Sequence, residues 1–193
     1  MNSIILMGIK HCGKSTQGKF LSAALNFDFF DIDDLITELN GKTPREIFTE
    51  KGEEAFMSAE EAACRTLSEK LTREKRNAVI ATGGGICNNK NALDILHSLG
   101  KFVFLKTPEK TAADRIVREV VTLQDGSLTN MPAYIAKKNP HSINEVRTCF
   151  HEFFVQRVKI YTQLSDVTVE MSNAPKNVNT KQILDALNLK AKA

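Results

Sequence analysis

Gly8-Ile9-Lys10-His11-Cys12-Gly13-Lys14-Ser15 is the stretch that decides the fold. It follows an apolar run at residues 4–7 and is followed by Thr16. The spacing fits G-x-x-x-x-G-K-[ST], a loop whose backbone N–H groups point inward around a phosphate. Gly8 and Gly13 allow the curl, and the helix after the loop brings its positive N-terminal end to the same spot. Lys14 is placed to reach the outer phosphates, Ser15 to hold a magnesium ion, and Thr16 to add a hydroxyl nearby. Gly8, Cys12, Gly13, Lys14, Ser15 and Thr16 are therefore the nucleotide-binding candidates. The side chains of His11 and Cys12 occupy free positions of the pattern and read as pointing away from the phosphates.

Outward from the loop, apolar strands alternate with helical segments. Strands are expected at 4–7, 27–31, 78–81, 102–105 and 167–170. Helices are expected at 14–25, 33–40, 44–51, 53–74, 89–99, from 107 to about 121, at 144–164 and at 179–187. Short buried strands separated by helices predict an α/β chain with a parallel sheet covered on both faces. Residues 123–142 break the pattern. They hold Gly126, Pro132, Asn139 and Pro140 and show no clean period, as a lid or a disordered loop does. The polar end at 189–193 reads as a fraying helix.

Two further clusters lie at strand ends. In Phe29-Phe30-Asp31-Ile32-Asp33-Asp34, alternation along an extended segment turns Asp31 and Asp33 to one side, toward the mouth of the sheet. One carboxylate suits a magnesium shell and the other suits a hydroxyl proton. Helix capping by Asp33 or Asp34 is the competing reading, and Asp34 is left with the cap. Gly83, Gly84 and Gly85 follow the strand at 78–81. Such a run either lets a substrate press on bare backbone or forms a loose turn.

The bulk numbers exclude several classes. A chain of 193 residues that is 42% hydrophobic can bury one core, or one core with a lid. A net charge of +3 without a basic run among aromatics gives no case for nucleic acid. Cys12, Cys64, Cys87 and Cys149 are scattered without a C-x-x-C pair, which fits neither a disulfide framework nor a zinc site and suits a reducing cytoplasm. No apolar run reaches a membrane span, and no basic leader precedes the first strand, so neither membrane nor signal peptide is expected.

Taken in order, these residues resemble the shikimate kinase family. The resemblance runs through the phosphate loop, Phe29–Asp33, Gly41, Ile47-Phe48, Gly52-Glu53, Phe56, Glu60, Thr82–Gly85, Val103-Phe104-Leu105 with Arg115, and Arg157 with Tyr161. It implies a three-layer P-loop kinase fold over residues 1–193, with a five-stranded parallel sheet and a mobile lid at 123–142. It implies ATP with Mg2+, transfer of the γ-phosphate to the 3-hydroxyl of shikimate, and a monomer. By position, Lys14 and Asp33 become catalytic, and Ser15 and Asp31 face the metal. Arg115, Asn173 and Pro175 flank adenine. Asp33, Met57, Gly83, Gly84, Gly85 and Arg157 line the acceptor pocket.

Three departures from the family pattern stand out. Met57 replaces an arginine that binds the acceptor carboxylate. The lid lacks the family's Arg-Pro-Leu-Leu motif, which leaves Lys137, Lys138 or Arg147 as replacement cations. Arg157-Val158-Lys159-Ile160-Tyr161 replaces Arg-x-Pro-Leu-Tyr. Two alternatives to shikimate transfer therefore stay open: a sister kinase for another hydroxy acid or polyol, and a nucleotide-binding homologue with little transfer activity.

Overall fold

The computed structural model describes residues 2–191; Met1, Lys192 and Ala193 lie outside it. Five strands form one parallel sheet: β1 (Ser3–Met7), β2 (Asp28–Asp31), β3 (Ala78–Ala81), β4 (Gly100–Lys106) and, last in the chain, Val167–Glu170. Their spatial order is β2-β3-β1-β4 and then Val167–Glu170. The first strand lies at the centre, with Ile5 paired to Ile80 on one side and to Phe102 on the other. All its residues are buried, which is why it reads as an unbroken apolar run rather than an alternating one.

The phosphate loop leaves β1 and enters α1 (Lys14–Leu25). Helix α2 (Ile32–Asn40) begins one residue earlier than the sequence suggests. Helix α3 (Pro44–Glu74) opens with a Thr43–Glu46 capping box and Pro44 in its first turn. The two helices expected at 44–51 and 53–74 join into this one element, but Gly52 stays non-helical, with φ 85° and ψ −177°. A side chain there would be strained, so the predicted break is real at the level of the backbone. Helices α4 (Lys90–His97) and α5 (Glu109–Val117) flank β4 in sequence, and both are shorter than expected.

Residues 123–142 are not a structureless loop. β6 (Leu128–Thr129) inside the segment pairs with β5 (Val121–Thr122) just before it as a small antiparallel hairpin. A single-turn helix α6 (Ala133–Ala136) follows. These elements are too short to leave a periodic signal, which explains why the sequence conceals them. Met131 and Ile135 are buried, while Lys137 meets Glu53 and Arg45 donates to Asn130 at 2.9 Å. The segment thus rests on the start of α3.

The long helix α7 (Ile143–Leu164) returns to the last strand, β7 (Val167–Glu170), and α8 (Lys176–Ala186) closes against α1. Gln17 ties these two helices: its side-chain oxygen accepts from Thr180 at 2.7 Å and its amide donates to Lys176 O. α8 starts three residues before the expected 179 and ends at Ala186, so the described tail lies beyond the helix. No helix among the described residues is long and apolar enough to cross a membrane.

Candidate active site

A cavity of about 820 Å³ opens where the central strands end. Its lining includes Cys12, Gly13, Lys14, Ser15, Thr16, Asp31, Asp33, Gly84, Arg115 and Asn173. Open parallel sheets bind ligands at this edge, beyond the carboxyl ends of their strands. Gly8, Met57, Gly83, Gly85, Arg157 and Pro175 are not part of that lining.

The loop's glycines are needed for shape. Gly8 has φ 149°, and a side chain there would lie 2.7 Å from Cys12 Sγ and 3.0 Å from Leu105 O. Gly13 has φ 100° and precedes the first residue of α1 without any side-chain cap. The end of that helix is left to its own N–H groups, which suits an anion. Lys14 is buried, and its Nζ donates to Gly8 O at 2.9 Å and Ile9 O at 3.0 Å. Its ammonium is therefore held at the loop by the loop's own carbonyls.

The Cys12 side chain is buried beneath the loop, and its carbonyl accepts from Thr107 Oγ1 at 3.2 Å. His11 turns to Glu119, with Nε2 at 3.1 Å, and burial holds its pKa below the ordinary value against the pull of that carboxylate. Arg115 Nη1 donates to His11 O at 2.5 Å, so this arginine ties the cavity wall to the loop.

The aspartates divide their duties differently from the expectation. Asp31, not Asp33 or Asp34, caps α2, accepting from Asp33 N at 3.1 Å through Oδ1. Its other oxygen, Oδ2, accepts from Ser15 Oγ at 2.5 Å. The cap and the hydroxyl contact meet in one residue, because a carboxylate has two oxygens. Asp33 lies in the first helical turn and reaches the cavity from there, not by strand alternation. Burial first, and then the charge of Asp31, raise its pKa; Lys14 opposes them.

The three glycines serve three ends. A Cβ on Gly84 would stand 2.9 Å from Lys10 N, so this glycine lets the run pack against the phosphate loop. A Cβ on Gly83 would meet Asp33 Oδ1 at 3.1 Å and Glu60 Oε1 at 3.2 Å. Gly85 faces open space within 4 Å. Tyr161 secures the run by donating to Gly84 O at 2.9 Å.

Behind Gly83, Glu60 is 1% exposed. Its Oε2 accepts from Asn89 Nδ2 at 3.0 Å, the same nitrogen that donates to Met57 O, and its Oε1 has no partner. Burial pushes its pKa up to about 7, with Asp33 adding to the rise and the Asn89 hydrogen bond opposing it. The folded chain therefore holds a proton that the unfolded chain releases above its ordinary value of 4.5. The stability contributed by this group is complete below that value and is lost as pH rises through about 7. The loss is on the order of 3 kcal/mol. Glu60→Gln should flatten this part of the pH profile. Urea midpoints at pH 5 and pH 8 check it, and parallel profiles for variant and wild type would show that Glu60 ionises freely.

The cations take unexpected positions. Lys137 lies 5.0 Å from the Phe48 ring centroid and pairs with Glu53, Lys138 pairs with Glu152, and Arg147 pairs with Asp114 at 2.6 Å. None of the three lines the cavity, whereas Arg118 does. Sequence reading passed over Arg118, although its spacing of three from Arg115 at the end of a helix puts the two on one side. Lys10 and Lys176 line the cavity as well.

A cradle for phosphates beside a carboxylate that can take a hydroxyl proton, at the open edge of a parallel sheet, defines a P-loop kinase. The size of the cavity suits small reactants. Comparison with known proteins gives the family: a shikimate kinase profile matches residues 10–188. The shikimate kinase of Aquifex aeolicus is 33% identical over 184 residues, covering 95% of each chain. That of Chlorobium chlorochromatii is 33% identical over 168 residues, covering 86% of this chain and 80% of its own. A crystal structure of the Aquifex aeolicus enzyme superposes with a TM-score of 0.69 at 30% identity over 96% of each chain. The chain belongs to the shikimate kinase family, which uses ATP as its phosphate donor.

Proposed function

We propose that this protein transfers the γ-phosphate of ATP to the 3-hydroxyl of shikimate, as a single kinase domain with residues 123–142 as its lid. Family membership over nearly the whole chain is the observation that carries this reading. The loop amides and Lys14 hold the β- and γ-phosphates. Arg115 flanks the adenine from the loop side, with Asn173 and Pro175 opposite. Ser15 and Asp31 offer two hard oxygens next to the phosphate cradle, which fits Mg2+, an ion bound by one or two protein oxygens together with phosphates. Held by Ser15 and Asp31, a magnesium ion would neutralise charge on the phosphate oxygens.

Asp33 orients the acceptor hydroxyl and takes its proton, helped by a pKa that burial has raised toward the working range. Gly83, Gly84 and Gly85 let the acceptor approach the backbone. Arg157, only 8% exposed, is the anion partner on this side. The protein acts as a monomer in a reducing cytoplasm, a setting supported by four free cysteines.

Position 57 supports a second reading, a related hydroxy acid or polyol as acceptor, since methionine brings no charge where the family has a cation. ADP release by the purified protein with Mg-ATP separates the two. Saturable dependence on shikimate is expected. Absence of any shikimate response, with ATP binding intact, would transfer the assignment to another acceptor.

A further inference from the structure

Resting on the ATP reading above, we propose that Asn179 is a positioning residue for the nucleobase. Its side-chain amide shapes residues 172–174 so that the Asn173 peptide meets the edge of adenine and not that of guanine.

The order of the sheet sorts the cavity wall into three parts. β2 and β3 lead to Asp31, Asp33 and Gly84 at one end, and β1 leads to the phosphate loop at the centre. β4 and β7 lead to Thr107 and to residues 171–174 at the other end. With phosphates at the centre and an acceptor by Asp33, the base lies against 171–174.

That wall has no regular structure of its own. The last ladder bond runs from Met171 N to Lys106 O at 2.8 Å. Asn179, 5% exposed and near the start of α8, then takes over. Its Oδ1 accepts from Ser172 N at 3.2 Å and from Ser172 Oγ at 3.3 Å. Its Nδ2 donates to Ser172 O at 3.1 Å and to Ala174 O at 3.4 Å. A side-chain amide carries the donor and acceptor of a peptide group, so it serves Ser172 as a neighbouring strand would. Ala174 N closes the turn onto Ser172 Oγ at 3.3 Å.

These bonds engage the backbone on both sides of Asn173. The N–H and C=O of Asn173 take part in none of them, and this exposed residue lines the cavity. A fixed donor and acceptor fit one order of partners only. Adenine sets an amine beside a ring acceptor, whereas guanine sets a carbonyl beside a ring N–H. The wrong base leaves like groups facing each other, and that rejection needs a rigid frame. The next residue of α8 ties the frame to the helix of the phosphate loop: Thr180 Oγ1 donates to Gln17 Oε1 at 2.7 Å.

Asn179→Asp is the test. The carboxylate keeps the shape and the acceptor, loses the donor to Ser172 O and Ala174 O, and puts negative charge beside both carbonyls. Calorimetric titration of the purified protein with Mg2+ and ADP, GDP or inorganic tripolyphosphate reads the effect without any acceptor. The Kd for ADP should rise about 10- to 100-fold, the worth of the two hydrogen bonds lost. GDP binding should change little, so the preference for ADP shrinks. Tripolyphosphate, which has no base, should bind as in wild type, and this also shows that the variant is folded. Asn179→Ala should give the same pattern. An ADP preference kept in both variants would overturn this inference alone. So would an equal loss of all three ligands, which would mark Asn179 as a scaffold residue for the whole site. Wild-type protein that binds ADP and GDP alike would overturn the placement of the base, and wild-type protein that binds no ADP would overturn the ATP reading; this inference falls with either.

Discussion

Lys14→Met should lower kcat about 10²- to 10³-fold, the cost of removing one preorganised charge partner at a reacting centre. The ammonium is fixed by two carbonyls of its own loop, Gly8 O and Ile9 O. It therefore needs no reorganisation when negative charge builds on the transferring phosphoryl group. Methionine keeps most of the buried stem and removes the charge, so the melting temperature should change little compared with the activity. Some ATP affinity should be lost too, since the loop carbonyls lose their donor. Steady-state kinetics with ATP titrated at saturating shikimate read both effects. Turnover close to wild type would remove the phosphate-cradle assignment from residues 8–15.

Asp33→Asn should lower kcat about 10²- to 10⁴-fold, the usual range for a general base, while leaving the KM for ATP nearly unchanged. The tertiary structure makes this a clean test. The contacts that shape the start of α2 involve the Asp33 backbone: its N–H donates to Asp31, and its carbonyl accepts from Thr37 Oγ1 at 2.9 Å. Asparagine preserves both. The raised pKa of Asp33 adds a pH signature. A general base works only when ionised, so if Asp33 has that role, wild-type activity should fall on the acid side at a higher pH than for an ordinary carboxylate. That limb should vanish from the residual activity of the variant. A matching loss of ATP binding and turnover would make Asp33 a structural residue.

The two aspartates show how far sequence reading reaches. Their place at the end of a predicted strand beside a phosphate loop singles out Asp31 and Asp33. The division of labour between them was not legible. Strand alternation suggested one shared face, whereas α2 begins at Ile32 and hands the cap to Asp31. A one-residue shift in where a helix starts is a small matter for the pattern and decides which oxygen points where. The Ser15–Asp31 hydrogen bond then joins residues 16 apart in the chain.

The lid cations follow the same logic. Lys137, Lys138 and Arg147 were the available charges by composition. Their acidic partners come from α3, α5 and α7, and no local pattern announces those pairings.

What the amino-acid sequence determined by itself is everything carried by local order. The buried strands announce themselves through unbroken apolar runs, the phosphate loop through its glycine spacing, and the Gly52 break through a residue free to take positive φ. Family membership also followed, because those features occur in a specific order along the chain. Only the tertiary structure decided which side chains meet. It set Glu60 Oε1 without a partner over Gly83, across from Asp33. It also stacked Tyr134 on a ring it shares with Arg157. Such encounters depend on how strands and helices far apart in the chain pack. Burial then fixes their chemistry, by stripping away the water that would otherwise satisfy each polar atom.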